Sequence, residues 1–502
     1  MAARTADAKS LPDTTYIVSL DVGTSSVRTL LFDHRAVQQT AFGKQLSYRV
    51  STTPDGGVEI DAEELARLLG ECLTALHTQM RSAGLRASAV AFCTFWHSFL
   101  GVDEQGQPTT PILHLLDTRS TSYVDKLAER LDRAESHART GTVFHTSYWP
   151  ARLLWLADQH PEAIARTRHW WSFGEFFYHR LFGRAAASTS MQSGTGIWNP
   201  NRNDYDEAML EVLPIRREQL PDPATMDEPS TGLREEWRQQ WPDFDGIPWF
   251  PALGDGACNN IGSGCVTPDR VSLMVGTTGA MRAVLEQPTV DIPPGLWCYR
   301  VDRRRLVLGG ALSNGGEVFA WMRRTLQLPD DAALEAELSE MTPGAHQLTL
   351  LPLFAGERST GWRADARAAI AGMSLHTRPV EIVRAALESV SLRFRQIYEL
   401  ISDRIGEPRE VIASGAALLK SPAWAQMMAD ALGRPVVSCQ EPEATSRGAA
   451  LLALERIGAI GHIKDLPPVT DVAYEPRIEH FAEYTAMLAR QRKLYRKLFQ
   501  ED

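Results

Sequence analysis

The chain has 502 residues, of which 44% are hydrophobic and 23% are charged, and its formal net charge is −10. This composition is typical of a soluble globular protein, and no apolar run approaches the roughly 20 residues that cross a bilayer, so a membrane span is excluded. The negative charge disfavours nucleic acid as a partner, because binding to a phosphate backbone needs a basic surface.

Six cysteines are scattered along the chain without a Cys-x-x-Cys pair. This pattern disfavours disulfides and structural zinc and favours a reducing cytoplasm. Cys258 and Cys265 are seven positions apart, and we expect them in one helix as small buried residues.

The order of the predicted elements indicates an α/β protein. Strands alternate with amphipathic helices such as those at 62–82 and 380–405. A loop-like stretch rich in Pro, Asp, Glu and Trp covers 216–251, and we place a domain boundary at its end. The expected divisions are a flexible N-terminal tail at 1–14, an N-terminal domain at 15–251 and a C-terminal domain at 252–502.

The first chemical motif follows a predicted buried strand at 16–22. Gly23 breaks this strand, and Thr24 and Ser25 follow it. Glycine lets backbone N–H groups and neighbouring hydroxyls converge on one anion, so this turn is a candidate phosphate-binding loop. Asp21 adds a carboxylate of the kind that Mg²⁺ prefers.

A second cluster combines Trp96 and His97, at a strand end, with Asp117 and Arg119, beyond a turn. An aromatic face covers C–H groups and polar groups fix hydroxyls, so the cluster predicts a polyol pocket. A lone His after a strand is also typical of a structural residue. Arg119 could bind a carboxylate, or form a surface or interdomain salt bridge. The aromatic run at 170–182 is interpreted as core.

Asp255 lies between two glycines at the predicted start of a helix. It could cap this helix by accepting its first backbone N–H groups. It could also accept the proton of a substrate hydroxyl as that oxygen attacks a γ-phosphate. The two roles are compatible, because a helix N-terminus keeps the carboxylate ionised. Its place at the domain boundary favours catalysis.

Residues 271–280 repeat the pattern of residues 16–26, with a β-branched strand, a glycine and two threonines. Gly23 and Gly276 are 253 positions apart, which is about half of the chain. Each copy by itself could be an ordinary hairpin with a polar tip. Their recurrence predicts a duplicated, two-domain enzyme that uses ATP.

The two copies differ where Asp21 is replaced by Met274. Only the first half can therefore offer a carboxylate to Mg²⁺ at this position.

Near the C-terminus, residues 412–424 are predicted to form a strand, a turn of small residues and a helix. Gly415 and Ala416 would let an adenine ring lie flat against the backbone, although small residues also permit tight packing.

The chain resembles the FGGY carbohydrate kinases over essentially its whole length after residue 14, because five segments occur in the order seen in that family. The segments are Asp21-Val-Gly-Thr-Ser25, Gly254-Asp-Gly-Ala257, Val275-Gly-Thr-Thr278, Gly356-Glu-Arg358 and Ser414-Gly-Ala-Ala417. The resemblance implies two actin-like, ribonuclease-H-like domains with ATP and sugar in a central interdomain cleft.

The resemblance also implies roles for single residues. Asp21 matches the metal-associated Asp, and Asp255 matches the catalytic base that also contacts the substrate. Trp96, His97 and Asp117 match sugar-contacting positions, to which Arg119 is added from its own chemistry. The implied ATP-binding residues are Thr24, Ser25, Gly276, Thr277, Thr278, Gly415 and Ala416.

We expect an ATP- and Mg²⁺-dependent cytoplasmic kinase that phosphorylates a terminal hydroxyl of a sugar or sugar acid. Within the family the motifs look most like gluconate kinases, which predicts conversion of D-gluconate to 6-phosphogluconate. A kinase for xylulose, ribulose or another sugar is the nearest alternative. An actin-like nucleotide-responsive ATPase or a silent sugar sensor is more remote. A homodimer is compatible with the sequence, which leaves the oligomeric state open.

Overall fold

The computed structural model describes residues 15–499, so the expected tail at 1–14 lies outside the described residues. The strands in chain order are β1 (Tyr16–Val22), β2 (Ser26–Asp33), β3 (Gln38–Ser47), β4 (Ser51–Thr52), β5 (Val58–Ile60), β6 (Ala89–Thr94), β7 (Leu100–Val102), β8 (Ile112–Leu113), β9 (His169–Trp171), β10 (Trp198–Asn199), β11 (Asp204–Tyr205), β12 (Leu253–Gly254), β13 (Arg270–Val275), β14 (Gly279–Leu285), β15 (Trp297–Arg300), β16 (Leu306–Leu312), β17 (Thr349–Leu351), β18 (Ala369–Ala371), β19 (Glu410–Ser414), β20 (Val436–Cys439) and β21 (Thr470–Tyr474).

The α-helices are α1 (Ala62–Ser82), α2 (Thr121–Ala128), α3 (Arg133–Thr140), α4 (Trp149–Gln159), α5 (Pro161–Arg166), α6 (Phe173–Phe182), α7 (Thr189–Ser193), α8 (Glu207–Val212), α9 (Glu235–Gln240), α10 (Asp255–Gly262), α11 (Gly316–Thr325), α12 (Asp331–Glu340), α13 (Pro379–Ile405), α14 (Ala416–Leu419), α15 (Pro422–Leu432), α16 (Ala444–Arg456) and α17 (Ile478–Phe499). Helices α1 and α13 confirm the predictions at 62–82 and 380–405. Each helix within residues 15–499 is too short or too polar to span a bilayer.

The chain forms two compact units. Among the described residues, the first contains residues 15–262, together with Tyr299–Arg304 and Glu443–Pro467. Its main sheet has the strand order β12-β6-β1-β2-β3. Strands β1, β6 and β12 run parallel, and β2 and β3 are antiparallel to their neighbours. Three strand ends that precede predicted site residues therefore lie at one edge of this sheet.

Helices cover both faces of the first sheet. Thr29 of β2 donates a hydrogen bond to the backbone oxygen of Cys72 in α1. Ser19 of β1 donates one to the backbone oxygen of Ser446 in α16. Thr29 is paired with Leu20, the neighbour of Ser19, and successive side chains of a strand point to opposite faces. The sheet is therefore enclosed between α1 and α16.

The predicted aromatic core of the first unit is confirmed. From Trp170 to Tyr178 each Trp, Phe and Tyr side chain is buried, although Phe182 at the end of the run is only partly buried. Phe173 and Phe177 of α6 pack on Phe92 of β6 with ring centroids 6.5 and 5.9 Å apart. Burial of such large apolar rings is a main driving force for folding.

The second unit contains Ser263–Cys298, Arg305–Pro442 and the chain from Pro468 onward. Its main sheet has the strand order β15-β16-β14-β13-β19-β20-β21. Strand β13 is antiparallel to β14 and parallel to β19. Helix α13 packs against β14 and β16, and its buried face joins one large apolar core with the sheet and α15.

The repeated motif is a hairpin in both units. Strands β1 and β2 pair from Tyr16 with Asp33 to Val22 with Val27. Strands β13 and β14 pair from Ser272 with Arg282 to Val275 with Gly279. The hairpin interpretation and the phosphate-loop interpretation are therefore compatible, because each hairpin ends in an exposed tip that carries two hydroxyls.

The structure divides the chain differently from the boundary expected after residue 251. Strand β12 pairs with β6, and α10 packs on α16, so residues 252–262 lie in the first unit. The glycines of these two helices make their approach close. A Cβ atom on Gly262 would lie 1.7 Å from the backbone oxygen of Ala444, and one on Gly448 would lie 1.8 Å from that of Cys258.

The expectation that Cys258 and Cys265 share a helix is wrong. Helix α10 ends at Gly262, and Gly264 follows with a positive φ of 76°, which L side chains rarely adopt. Both thiols are nevertheless buried, as expected.

Candidate active site

Asp255 begins helix α10 at the carboxyl edge of the first sheet. Strand β12 aligns Gly254 with Thr94 of β6, and Thr94 is aligned with Val22 of β1. Asp255 Oδ1 accepts the backbone N–H of Gly256 at 2.7 Å. The carboxylate is partly exposed at a helix N-terminus, where the helix dipole favours a negative charge. It can therefore act as an ionised base in the same position in which it supports the helix.

Trp96 packs directly against the residue that precedes Asp255. A Cβ atom on Gly254 would lie only 1.9 Å from the Trp96 ring, so glycine is needed for this approach. The Trp96 Nε1–H group donates to the backbone oxygen of Ser190 at 2.9 Å. Ser190 Oγ in turn accepts the backbone N–H of Gly254 at 3.1 Å. Ser190, which the sequence analysis missed, thus links the aromatic ring to the segment that carries Asp255.

His97 and two tyrosines complete an aromatic cluster beside Trp96. His97 Nδ1 lies 2.6 Å from the Gly194 carbonyl oxygen, so Nδ1 carries a proton and donates this hydrogen bond. The His97 ring centroid lies 5.1 Å from that of Tyr148 and 5.4 Å from that of Tyr299. Trp96 and Tyr299 meet edge to face at 5.0 Å. Apolar ring faces and polar ring edges are thereby combined in one place, as a polyol requires.

The hydroxyls of Tyr148 and Tyr299 are 2.6 Å apart and form a hydrogen bond. Neither tyrosine was predicted as a site residue. Tyr148 precedes α4 and Tyr299 lies 151 positions further along the chain, so no local pattern relates them to Trp96. Only the folded chain brings them together.

Asp117 and Arg119 lie in a buried ion pair of the first unit. Asp117 is fully buried, and its Oδ2 accepts Arg119 Nη2 at 2.6 Å and the backbone N–H of Val58 at 3.1 Å. Arg119 Nη2 also contacts Glu59 Oε1 at 2.6 Å, and its guanidinium lies 4.3 Å from the centroid of the Trp155 ring. The Arg119 charge is therefore already neutralised.

The expected carboxylate-binding role of Arg119 and substrate-contacting role of Asp117 stay predictions, and these contacts show in addition that the two side chains bind each other. Burial acts to lower the pKa of Arg119, but Asp117 and Glu59 outweigh it and raise that pKa. The salt-bridge alternative describes the contacts of Arg119, with both partners in the same unit. The pair fixes the turn that follows β8, next to Ser98 Oγ, which accepts the backbone N–H of Leu115 at 3.2 Å.

Asp21 is buried near the end of β1 and is held by two neighbours. Its Oδ2 accepts Arg28 Nε at 2.9 Å, Arg28 Nη2 at 2.7 Å and Ser446 Oγ at 2.8 Å. In residues 15–499 the hydrogen bonds to this carboxylate all reach Oδ2. Oδ1 is thus the oxygen with which Asp21 could bind Mg²⁺ or one of the water ligands of Mg²⁺. A single carboxylate suits Mg²⁺, which takes its other ligands from phosphates and water.

The first hairpin tip carries the two exposed hydroxyl residues Thr24 and Ser25. Gly23 begins the turn by donating its N–H to the Ser26 carbonyl at 3.0 Å. Tyr48 supports the turn, since its hydroxyl donates to the Gly23 carbonyl at 2.6 Å and its N–H donates to the Ser25 carbonyl at 3.1 Å.

In the second unit, two predicted nucleotide segments lie at one edge of the sheet. The tip formed by Gly276, Thr277 and Thr278 follows β13, and Gly415 follows β19, which is parallel to β13. Gly415 has a φ of 91°, and a Cβ atom there would lie 2.5 Å from the Val275 carbonyl oxygen. Exposed Ala416 comes next and begins α14.

A third glycine segment, missed by the sequence analysis, joins the same edge. Gly315 donates its N–H to the Thr277 carbonyl at 2.9 Å, and Gly316 donates to the Gly276 carbonyl at 2.7 Å. A Cβ atom on Gly316 would lie 2.4 Å from Ala417 Cβ. Gly316 also begins α11, so a helix N-terminus lies beside a hydroxyl-bearing turn, which is a favourable environment for phosphate.

Comparison with known proteins also identifies two domains. The profile of the N-terminal domain of the FGGY family of carbohydrate kinases matches residues 16–262, and that of the C-terminal domain matches residues 271–455. The gluconokinase of Bacillus subtilis (strain 168) is 26% identical over 469 residues, which cover 89% of this chain and 88% of that protein.

Two solved structures from Lactobacillus acidophilus share the fold. A ligand-bound xylulose kinase is 25% identical with a TM-score of 0.88, and a gluconate kinase is 24% identical with a TM-score of 0.89. Each comparison covers 96% of this chain and 98% of the other. With both domain profiles matched in order, the chain belongs to the FGGY family of carbohydrate kinases, which are ATP-dependent sugar kinases with two actin-like, ribonuclease-H-like domains.

Proposed function

We propose that this sugar kinase phosphorylates the terminal hydroxyl of D-gluconate and forms 6-phosphogluconate. The observation that carries the proposal is the aromatic cluster of Trp96, His97, Tyr148 and Tyr299 next to the segment of Asp255. Such a cluster suits an open-chain polyol, and the similarity to a gluconokinase favours the sugar acid over other polyols.

Asp255 is the proposed general base. It accepts the proton of the substrate hydroxyl while that oxygen forms a bond to the γ-phosphorus of ATP. The bond between the γ-phosphorus and the bridging oxygen breaks, and ADP leaves. Phosphoryl transfer needs mainly positioning and charge neutralisation. One well-placed carboxylate that accepts a proton is therefore the only reactive group that the protein must supply.

Trp96 and His97 are proposed to hold the sugar chain. The Trp96 ring covers C–H groups, and the His97 ring, whose Nδ1–H donates to the Gly194 carbonyl oxygen, lies beside it as a polar group for the hydroxyls. Tyr148 and Tyr299 add hydroxyls at the same place. Asp117 and Arg119 are proposed to support this pocket by fixing the turn beside it, since their charges satisfy each other.

The nucleotide contacts are proposed to lie in both repeats of the hairpin. In the first unit they are Thr24 and Ser25, at an exposed tip. In the second unit they are Gly276, Thr277, Thr278, Gly415 and Ala416. Mg²⁺ bound with ATP would neutralise phosphate charge, and Asp21 Oδ1 is the proposed oxygen that holds it directly or through water.

The test is a coupled measurement of ADP release with gluconate, xylulose, ribulose and glycerol as substrates. We expect kcat/KM for gluconate to exceed that for each other compound by about tenfold or more, which is about 1.4 kcal/mol of selectivity. The no-sugar reaction and the Asp255→Asn variant measure the background. A higher kcat/KM for xylulose would overturn the gluconate assignment.

A xylulose kinase is the second candidate, because the ligand-bound xylulose kinase has a TM-score of 0.88, against 0.89 for the gluconate kinase. In that case product analysis by NMR would find phosphate on the terminal hydroxyl of a ketose, and gluconate would be a poor substrate at every concentration.

A further inference from the structure

Helix α7 of the first unit holds two side chains of the aromatic cluster. The Ser190 carbonyl oxygen accepts Trp96 Nε1–H at 2.9 Å, and the Gly194 carbonyl oxygen accepts His97 Nδ1–H at 2.6 Å. Gly194 directly follows the helix, and a Cβ atom there would lie 2.8 Å from the Trp96 ring. One short element therefore fixes both side chains that are proposed to hold the sugar.

The same helix also holds strand β12, which directly precedes Asp255. In the strand order described for residues 15–499, β12 lies at the edge of its sheet, beside β6. Ser190 Oγ accepts the backbone N–H of Gly254 at 3.1 Å. Ser188 Oγ donates to the backbone oxygen of Ala252. The two serine hydroxyls thus supply hydrogen bonds that an edge strand cannot obtain from a second neighbouring strand.

A buried carboxylate anchors the start of helix α7. Asp227 Oδ1 accepts the backbone N–H of Thr189 at 3.1 Å, and its Oδ2 accepts the Thr189 hydroxyl. Ser188 caps the helix, since its Oγ accepts the backbone N–H of Met191 at 3.0 Å. Ser188, Thr189 and Ser190 are all buried. A buried network of satisfied hydrogen bonds is rigid, so α7 can act as a fixed support for β12.

We propose that Ser188 and Ser190 are positioning residues for phosphoryl transfer, because they set the place of Asp255. The reference point is the sugar held by Trp96 and His97. The serines act through β12 and do not touch the substrate, and the inference rests on the proposed function of Asp255 as the general base. A base must lie within hydrogen-bond distance of the proton that it accepts, and a displacement of about 1 Å can lower a rate by about 10²-fold.

The first test is Ser190→Ala, which removes the hydroxyl but keeps the backbone carbonyl that accepts Trp96. Gly254 then loses its acceptor, so β12 can shift while the aromatic cluster stays in place. We expect kcat to fall about tenfold, with less than about a twofold change in the KM for the sugar. The control is Ser136→Ala, which removes a buried hydroxyl from α3 and should leave kcat within about twofold. An unchanged kcat in Ser190→Ala would overturn the inference.

A double-mutant comparison separates positioning of the base from a general loss of structure. Once Asp255→Asn has removed the base, the position of the base no longer matters. Adding Ser190→Ala should therefore lower the residual kcat by less than about twofold. A merely structural role would lower kcat by the same factor with either Asp or Asn at position 255, so an equal loss in the two backgrounds would contradict the inference.

Ser188→Ala keeps the inference testable if Ser190→Ala does not fold. It removes the donor to the Ala252 carbonyl oxygen and leaves the acceptor of Gly254 in place. We expect kcat to fall about threefold or more, and this loss should again disappear in combination with Asp255→Asn. A loss that persisted without the base would reject the positioning role of the serine pair.

The outcome also separates this inference from the proposed function. The measurements use the sugar with the highest kcat/KM, so the inference does not depend on the gluconate assignment. Near-normal turnover of Asp255→Asn would reject the base, and the positioning role with it. If Asp255→Asn loses activity while the serine variants keep theirs, or lose it equally in both backgrounds, Asp255 remains the base and the positioning role is rejected.

Discussion

At the scale of single residues, the first prediction concerns the carboxylate of Asp255. Asp255→Asn keeps an oxygen that can accept the Gly256 N–H, but an amide cannot accept the substrate proton. We expect kcat to fall by roughly 10²-fold or more, with an unchanged melting temperature. Steady-state kinetics measures kcat, and differential scanning calorimetry measures the melting temperature. The control is Asp269→Asn, at an exposed position of the second unit. Near-normal turnover of Asp255→Asn would reduce Asp255 to a helix cap.

The second residue prediction concerns the one-sided metal site. Asp21→Asn removes the negative charge while keeping a side-chain oxygen near Arg28 and Ser446. We expect a higher Mg²⁺ concentration for half-maximal activity, with partial recovery at excess Mg²⁺. The matched control is Met274→Leu at the equivalent position of the second copy, which offers no oxygen in either form. Similar Mg²⁺ titrations for the two variants would contradict the assignment.

At the scale of elements, the close crossing of α10 and α16 supports the position of Asp255. Gly448→Ala would place a Cβ atom 1.8 Å from the Cys258 carbonyl oxygen, so the two helices must separate. Overpacking of this kind costs about 1 to 3 kcal/mol, and we expect lower stability to urea together with lower kcat.

The control for this crossing is Gly70→Ala in helix α1, where a Cβ atom would meet open space. Removal of a helix glycine should raise stability by about 0.5 to 1 kcal/mol without a change in kcat. If Gly448→Ala behaved like Gly70→Ala, the crossing would not constrain the active site.

A further element prediction concerns the turn after β8, which the ion pair of Asp117 and Arg119 fixes. Arg119→Met leaves the fully buried Asp117 without its cation, so we expect a loss of about 3 kcal/mol in the free energy of unfolding. Arg67→Met breaks an exposed pair with Glu71 and should cost less than about 0.5 kcal/mol. Urea denaturation compares the two. Equal stabilities would mean that the buried pair does not support the turn.

At the scale of the whole molecule, sugar recognition is expected to depend on the first unit and nucleotide recognition chiefly on the second. His97→Ala in the first unit should raise the KM for the sugar by about 2- to 10-fold, which is the value of one hydrogen bond, while the KM for ATP changes little. Thr277→Val in the second unit should raise the KM for ATP, while the KM for the sugar changes little. Steady-state titration of each substrate tests the pattern, and a variant that raised both KM values equally would contradict it.

Much of the architecture could be predicted from sequence, because its signals are local. The strand at 16–22, the helices at 62–82 and 380–405 and both Gly-Thr turns follow from periodicity and from glycine chemistry within a few residues. The segments around Trp96 and Asp255 could also be identified as candidate site segments, since each follows a strand that ends at the same edge of a sheet.

The sequence by itself therefore determined the family, the two repeated hairpins and the segment of the proposed base Asp255. Only the tertiary structure decided which other side chains join them. Ser190, Tyr148 and Tyr299 reach Trp96 across large separations in the chain, which no local pattern encodes. The contacts of Arg119 have the same origin. Charge compensation depends on distance in space, and folding brings the carboxylates of Asp117 and Glu59 to Arg119.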